Sequence, residues 1–170
     1  MIYALVHYPN AGARRINAFR KKYDPQVELI EPHITLMFPV PESIGEDKLV
    51  HHLHSVLSGR QPFPIHLRGL HKSPDDCLFL LVQEGKTEII DLHRKIYTEL
   101  LADYRKEDAP FIPHVTLGVF AENLNVYDEA LEEAKRLDLD YRCMLDKLHL
   151  VKANDERTQI VWSKEFSLSA

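Results

Sequence analysis

The stretch Glu31–Pro39, EPHITLMFP, has a close copy in Ile112–Phe120, IPHVTLGVF. Both contain Pro-His, then a β-branched residue, then Thr-Leu, and their histidines are 114 − 33 = 81 residues apart. Short apolar segments that are rich in β-branched residues and bounded by proline are typical of β-strands. We therefore predict two equivalent strands, each carrying one copy of the motif.

The strand period fixes which side chains of the motif share a face. Successive side chains of a strand point to opposite faces, so His33 and Thr35 lie on one face and the apolar residues between them on the other. The same holds for His114 and Thr116. Gly118 would fall on the histidine side and leave room for a ligand. The apolar side needs helices to cover it.

The order of predicted elements repeats along the chain. Each half, about 1–74 and 75–170, contains a strand, a helix, a PH(I/V)TL strand, a helix and a strand. We expect an α+β protein with one domain over residues 1–170. Its duplicated bilobal fold would have two mostly antiparallel sheets facing a central cleft, with helices outside. Approximate two-fold symmetry would then bring both His/Thr pairs into that cleft.

Apolar periodicity gives the approximate bounds of the other elements. The predicted helices cover about 10–23, 44–58, 86–104 and 127–137. Besides the two motif strands, the predicted strands cover about 2–8, 63–72, 77–84, 141–153 and 157–168.

Composition narrows the class of partner. The net charge of −5 argues against a broad groove for duplex DNA, which requires many Lys and Arg side chains. No apolar run approaches the ~20 residues that span a bilayer, and the start MIYALVHYP is interpreted as a strand and not a signal peptide. The two cysteines, Cys77 and Cys143, favour free thiols in a reducing compartment. We expect a cytoplasmic monomer.

Two opposed His/Thr pairs suit acid–base chemistry at a phosphodiester. One neutral imidazole can take a proton from an attacking hydroxyl or water, and a second, protonated imidazole can give one to the leaving oxygen. The hydroxyls of Thr35 and Thr116 can donate hydrogen bonds to an anion held between them. This scheme requires neither a metal nor a cofactor.

At these residues the chain resembles the two-histidine (2H) phosphoesterase superfamily, whose LigT-like members include the 2′-5′ RNA ligase family. That family carries two His-x-Thr/Ser motifs, matched here by His33-Ile34-Thr35 and His114-Val115-Thr116. The stretch LRGLHKSPDDCLFLLVQ is similar to its mid-chain link, and LHLVKANDERTQIVWSKEFSL to its closing hairpin. The sequence departs from the common family pattern at His71, Lys72 and Lys152.

The resemblance implies hydrolysis of a 2′,3′-cyclic phosphate, on an RNA end or a small nucleotide, without a metal. It also implies that His33 and His114 form the acid–base pair, in an order that the sequence leaves open, and that Thr35 and Thr116 bind phosphate oxygens. The alternatives are 2′-5′ RNA ligation at the same site, a metal-dependent hydrolase, or a non-catalytic RNA- or nucleotide-binding module.

Four other residues are candidates for the pocket. If Ile2, Ala4 and Val6 pack under helices, Tyr3 and His7 face the cleft and could stack on a base or ribose. Lys72 and Lys152 are candidate phosphate contacts. The cluster HHLH at 51–54 lacks acidic or cysteine partners at metal-ligand spacing and is interpreted as a solvated helix face.

Overall fold

The computed structural model describes residues 1–169, which form four α-helices and eight β-strands. The helices are α1 (Ala13–Tyr23), α2 (Glu46–Leu57), α3 (Lys86–Ile96) and α4 (Tyr127–Leu137). The strands are β1 (Ile2–His7), β2 (Ile34–Pro41), β3 (Phe63–Lys72), β4 (Cys77–Val82), β5 (His114–Val119), β6 (Asp140–Leu145), β7 (Lys147–Ala153) and β8 (Ile160–Ser167). Short 3-10 helices cover Glu42–Ile44, Glu99–Tyr104 and Leu124–Val126.

Two predicted elements are each divided in the structure. The helix expected over 86–104 ends at Ile96, because Thr98 is extended and Glu99 adopts a left-handed φ of 46°, after which the chain continues as a 3-10 helix. The strand expected over 141–153 is divided at Asp146. Its first part, β6, pairs with β3, whereas its second part, β7, pairs with β1 and β8.

All eight strands form one sheet in the order β6-β3-β4-β5-β2-β1-β7-β8, and every pairing is antiparallel. The α+β class with antiparallel pairing is thus confirmed, but the two predicted sheets are joined into one. The central strands β2 and β5 are joined at one residue pair, Ile34 and Val115. The sheet therefore has two four-stranded halves, which we call the His33 half (β2-β1-β7-β8) and the His114 half (β5-β4-β3-β6).

Each half of the sheet is completed by segments from the other half of the sequence. Strand β3 belongs to residues 1–74 but lies in the His114 half, while β7 and β8 come from residues 75–170 and lie in the His33 half. The helices follow the same exchange, since α1 packs on β5 and α3 packs on β2. The repeat in the sequence is therefore intertwined in space. One domain over residues 1–170 stays a prediction.

The hydrophobic core lies between the helices and one face of the sheet, which we call the core face. Ile34 and Val115 point into it at the junction of the two halves, and α1 contributes Ile16 and Phe19. Burial of these apolar side chains favours folding by about 25 cal/mol per Å² removed from water. Within residues 1–169, no helix combines the length and apolar character needed to cross a membrane.

Candidate active site

The junction of the two sheet halves brings the duplicated motifs together. Because β2 and β5 are antiparallel and pair at Ile34 and Val115, the next position on one side sets His33 opposite Thr116. The next position on the other side sets Thr35 opposite His114. Ile34 and Val115 point into the core, so these four side chains lie on the opposite face. We call this the histidine face.

Both histidines are held by the same local hydrogen bond. Nδ1 of His33 lies 2.8 Å from the carbonyl oxygen of Glu31, and Nδ1 of His114 lies 2.6 Å from that of Ile112. A carbonyl oxygen only accepts, so each Nδ1 carries the proton and donates it. In the neutral ring Nε2 then keeps its lone pair. No partner within residues 1–169 occupies either Nε2, so both can act on a ligand.

The Pro-His sequence explains why this arrangement occurs twice. Pro32 and Pro113 lie between each accepting carbonyl and its histidine. The ring of proline fixes φ near −65°, which limits the motion of the carbonyl relative to the imidazole. The motif therefore selects the same tautomer in both copies.

Both histidines are neutral at pH 7 in the free protein. Burial lowers the pKa of His33, and the nearby Arg20 guanidinium acts in the same direction. Burial lowers the pKa of His114 further, to about 4, with smaller contributions from the charges of His33 and His71; the bond to Ile112 opposes the shift. A nearby anion would raise the pKa of either ring and favour its protonated form near neutral pH.

Phe79 of β4 fixes the ring of His114. The two rings are stacked, with centroids 3.4 Å apart and planes inclined by 13°. Phe79 is the cross-strand partner of Thr116 and is 9% exposed, so it lies on the histidine face. Phe79 was not among the predicted site residues, because β4 is apolar at every position, CLFLLV, and so gives no alternation that marks the face of Phe79.

A buried ion pair supports the segment that leads to His33. Arg20 at the end of α1 is 1% exposed, and its Nε donates to Asp24, which is 7% exposed, over 2.8 Å. Its other nitrogens donate to Asn17 and to the carbonyl of Ile30 over 2.8 and 2.9 Å. One guanidinium thus connects α1 to the chain three residues before His33. Sequence reasoning missed it; the i, i+4 spacing of Arg20 and Asp24 was the available signal.

Tyr3 and His7 lie on the core face, which corrects the predicted orientation of β1. Tyr3 is 1% exposed and its hydroxyl donates to Glu46 of α2 over 2.9 Å. His7 is 2% exposed, and its Nδ1 lies 2.9 Å from the carbonyl oxygen of Lys147. The physical reason is Leu5, which shares their face and is fully buried in the core. The structure therefore does not bring Tyr3 or His7 to the histidine face.

Lys72 and Lys152 also contact the helix side of the sheet. Nζ of Lys72 lies 2.9 Å from a carboxylate oxygen of Asp128 and 4.1 Å from the ring centroid of Tyr127, both at the start of α4. Lys152 forms an ion pair with Glu42, just before α2. Each ammonium already faces a carboxylate. The structure thus does not place them beside the two motif histidines.

Gly118 likewise points away from the histidine face. A Cβ atom at position 118 would lie 2.8 Å from Phe120 and 2.9 Å from Tyr23 of α1. Glycine therefore allows α1 to pack closely on the sheet here, and it does not open space for a ligand. The cause is an irregularity in the pairing of β4 with β5. While β4 advances by one residue to Phe79, β5 advances by two, from Gly118 to Thr116. This bulge reverses the alternation that the sequence predicts.

The three histidines of α2 do not form a metal site. His51 and His54 are exposed, whereas His52 is buried with Nε2 2.8 Å from the carbonyl oxygen of Ile96. Across the described part of the chain, no group of three or more His, Cys, Asp or Glu side chains is arranged to hold a metal ion.

Relatives in sequence cover nearly the whole chain. A candidate phosphoesterase of Bacillus licheniformis is 29% identical over 167 residues, which is 95% of this chain and 96% of the relative. A candidate phosphoesterase of Geobacillus thermodenitrificans is 27% identical over 154 residues, covering 89% of this chain and 87% of the relative.

Solved structures share the fold. E. coli LigT in complex with 3′-AMP superposes with a TM-score of 0.59 at 18% identity, over 99% of this chain and 94% of LigT. The protein TT0787 of Thermus thermophilus gives a TM-score of 0.58 at 16% identity, over 99% and 96% of the two chains.

The family itself is shown by a match over most of the chain. The sequence model of the 2′-5′ RNA ligase superfamily matches residues 8–157, a range that includes both His-x-Thr motifs. This extent, together with the LigT-like fold, shows that the chain belongs to the 2′-5′ RNA ligase superfamily of two-histidine phosphoesterases.

Proposed function

We propose that this protein hydrolyses 2′,3′-cyclic phosphates, on RNA ends or small nucleotides, with His33 and His114 as its acid–base pair. One observation carries the proposal. Both rings donate from Nδ1 to the backbone, so two equivalent Nε2 atoms remain available from the two halves of the sheet. A displacement at phosphorus needs one proton accepted and one donated on opposite sides, and this pair can supply both.

The reaction balances with water as the only other reactant. One neutral Nε2 accepts a proton from water while the water oxygen forms a bond to phosphorus. The bond from phosphorus to one ribose oxygen breaks, and that oxygen takes a proton from Nε2 of the other, protonated histidine. The cyclic diester becomes a monoester, and the two histidines exchange protonation states. Proton transfer between the histidines through solvent restores the pair.

The substrate itself would generate the protonated histidine. Burial keeps the pKa of His114 near 4 in the free protein. An anionic phosphodiester between the rings favours the charged imidazole and raises that pKa. Hydrogen bonds from Thr35 and Thr116 would hold the phosphate oxygens, since neither hydroxyl has a partner within residues 1–169. The acid would therefore form mainly when a substrate anion is bound.

The relatives support a phosphoester substrate that carries a nucleoside. The curated relatives are named as candidate phosphoesterases, and E. coli LigT has been crystallised with 3′-AMP and with NADP+. The family description favours a second candidate reaction, 2′-5′ RNA ligation. There the 5′-hydroxyl of a second RNA would replace water as the nucleophile at the same two histidines.

The test is hydrolysis of the four nucleoside 2′,3′-cyclic phosphates in excess chelator. We expect turnover by the wild type, with phosphorus NMR reporting whether the product carries a 2′- or a 3′-phosphate. His33→Ala and His114→Ala should each lose about 10²–10⁴-fold in kcat, the usual contribution of general acid–base catalysis. His51→Ala, an exposed histidine on α2, is the matched control and should retain full activity.

Three results would contradict the proposal. Wild-type turnover in either alanine variant would exclude the histidine pair. Activity that disappears in chelator and returns with a divalent cation would favour a metal-dependent hydrolase. If only RNA carrying both a cyclic phosphate and a 5′-hydroxyl end reacts, and the two become joined, ligation is the reaction.

The setting we propose is a monomer in the cytoplasm. Cys77 and Cys143 are unpaired, which suits a reducing compartment. Analytical ultracentrifugation at micromolar protein checks the monomer, which a dimer mass would contradict.

A further inference from the structure

Two further histidines lie at equivalent places on the two halves of the sheet. In the His33 half, Thr35 pairs across strands with Val6, and Val6 pairs with His149. In the His114 half, Thr116 pairs with Phe79, and Phe79 pairs with His71. Cross-strand partners point to the same face, so both outer histidines lie on the histidine face.

The register also fixes how far these residues are from the reacting centre. His149 and His71 are each two strands away from a motif threonine. With strands about 4.8 Å apart, each lies about 10 Å along the sheet from its threonine. The two outer histidines therefore lie on opposite sides of the motif residues, one on each half.

Each outer histidine adjoins an aromatic ring. The ring centroid of His71 is 6.2 Å from that of Phe79, the ring on which the motif histidine His114 is stacked. The ring centroid of His149 is 5.0 Å from that of Tyr8. Phe79 is largely buried, whereas His71, His149 and Tyr8 are half-buried and keep part of their surfaces accessible. Each end of the histidine face thus presents planar side chains.

We propose that His71 with Phe79, and His149 with Tyr8, are two subsites that each bind a planar heterocycle. The ligand they fit is a phosphodiester that joins two nucleosides, with the phosphate between Thr35 and Thr116 and one base at each end. Bases stack on aromatic and imidazole rings with little dependence on sequence. This inference rests on the proposed function only in placing the phosphate at the centre, and it names the class of ligand for that site.

The surroundings of His149 favour stacking over recognition of an anion. Glu165 of β8 is its cross-strand partner, and Asp146 is close enough to act on its charge. Lys147 is already paired with Glu165, Nζ to carboxylate oxygen 3.2 Å. Burial lowers the pKa of His149, so a neutral ring among carboxylates is the form available to a ligand. A base suits this surface better than a second phosphate.

Calorimetric binding of the DNA dinucleotide dApdA tests the inference without turnover. Its phosphodiester is acyclic, so it is not the strained cyclic substrate, and it lacks the 2′-hydroxyl that could displace the second nucleoside internally. The matched ligand is the methyl phosphodiester of deoxyadenosine 3′-phosphate, which has the same charge and one base. We expect wild type to bind dApdA about fivefold or more tightly than the methyl ester, the lower range for one stacked base. His71→Ala and His149→Ala should each weaken the binding of dApdA by a similar factor.

Two further variants separate stacking from a structural role. His71→Phe and His149→Phe keep a planar ring and should restore binding of dApdA, whereas a hydrogen-bonding or packing role of imidazole would not be restored. His51→Ala should bind as the wild type does. Equal affinities of the wild type for the two ligands, or unchanged affinities in both alanine variants, would overturn the inference.

The binding assay and the hydrolysis assay can fail separately. If no cyclic phosphate is hydrolysed but dApdA binding depends on His71 and His149, the proposed reaction is wrong and the subsites stand. If hydrolysis depends on His33 and His114 but dApdA binds no better than the one-base ester, the reaction stands and the subsites are wrong.

Discussion

The His33 half and the His114 half of the sheet place the same motif in different surroundings. Both imidazoles donate to the carbonyl two residues earlier, and both are opposed by the threonine of the other copy. Yet His114 is stacked on Phe79, whereas the equivalent position in the His33 half is held by the smaller Val6. His33 instead depends on a segment held by the buried guanidinium of Arg20.

This difference shows that duplication preserves the reacting atoms more strictly than their support. The Nε2 atoms must be equivalent for a proton to move in at one and out at the other. A ring can be immobilised by stacking or by a rigid preceding segment, because either restricts its motion. The two halves should therefore respond differently to substitution.

The largest expected effect is on the support of His33. Arg20→Met leaves the carboxylate of Asp24 buried without its partner, which costs about 3–5 kcal/mol in the free energy of unfolding. Urea unfolding measures this. The matched control is Lys22→Met, also on α1, which removes an exposed ion pair with Glu133 of α4 and should cost less than about 1 kcal/mol.

A double variant isolates the cause. Arg20→Met with Asp24→Asn removes both charges and keeps an oxygen to accept from the backbone of Gln26. It should recover part of the stability that the single variant loses. A double variant less stable than Arg20→Met would show that packing, and not the unpaired charge, dominates.

The next effect is the dependence of stability on pH. The folded protein holds the pKa of His114 at about 4, below the model-peptide value of 6.5. Between pH 6.5 and 4 the unfolded chain binds a proton that the folded chain does not, so the free energy of unfolding falls as pH is lowered. His114 alone can account for at most about 3 kcal/mol over this window. His33 contributes in the same direction.

Unfolding measured from pH 7.5 to 4 in wild type and His114→Asn checks this. The variant should lose less stability on acidification, while His51→Ala should follow the wild type. Parallel curves for wild type and His114→Asn would mean that His114 has the same pKa in the folded and unfolded chains, so that burial does not lower it.

A smaller effect concerns the stack in the His114 half. Phe79→Ala would let water reach His114 and raise its pKa by one pH unit or more, equivalent to about 1.4 kcal/mol between protonation states. NMR titration of the imidazole measures it. Val6→Ala, the equivalent change in the His33 half, should leave His114 unchanged. Equal shifts of the His114 pKa in Phe79→Ala and Val6→Ala would contradict the proposed difference between the two halves.

The smallest effect concerns a buried histidine that has an apolar counterpart. His7 pairs with Ile34 as Leu80 pairs with Val115, and burial lowers the pKa of His7. Its Nε2 finds no hydrogen-bond partner among the described residues, so His7→Leu removes an unsatisfied polar atom. We expect a change within about 1 kcal/mol at pH 7.5 and a gain over wild type at pH 5. A large loss of stability at both pH values would show that the hydrogen bond from His7 to Lys147 contributes more than the unsatisfied Nε2 costs.

Local signals were sufficient for the elements and for the grouping of the motif residues. Period-2 alternation placed each histidine with its threonine, and the apolar residues between them are in the core. The helix over 127–137 and the strand over 63–72 were predicted with the bounds that the structure shows. These features depend on neighbours in sequence, which a sequence displays directly.

Period-2 alternation alone did not predict which face of β1 is buried, and it did not predict the extra residue of the bulge in β5. It placed Tyr3 and His7 on the wrong face of β1, because the burial of Leu5 decided the orientation. It placed Gly118 on the wrong face of β5, because the bulge opposite β4 shifts the period. Lys72 and Lys152 form ion pairs with carboxylates near the starts of α4 and α2. These partners are distant in sequence, so no local pattern predicts them.

By itself the sequence determined two equivalent His-x-Thr strands, their apolar backs and the α+β class, since each follows from residues a few positions apart. Only the tertiary structure decided that β2 and β5 meet at Ile34 and Val115, and that α1 and α3 cross to the opposite halves. The tertiary structure also brings four side chains close to the two motifs or to the segments that lead to them: Phe79, Arg20, His71 and His149. These contacts join residues far apart in the chain, and their register is set by packing of the whole sheet.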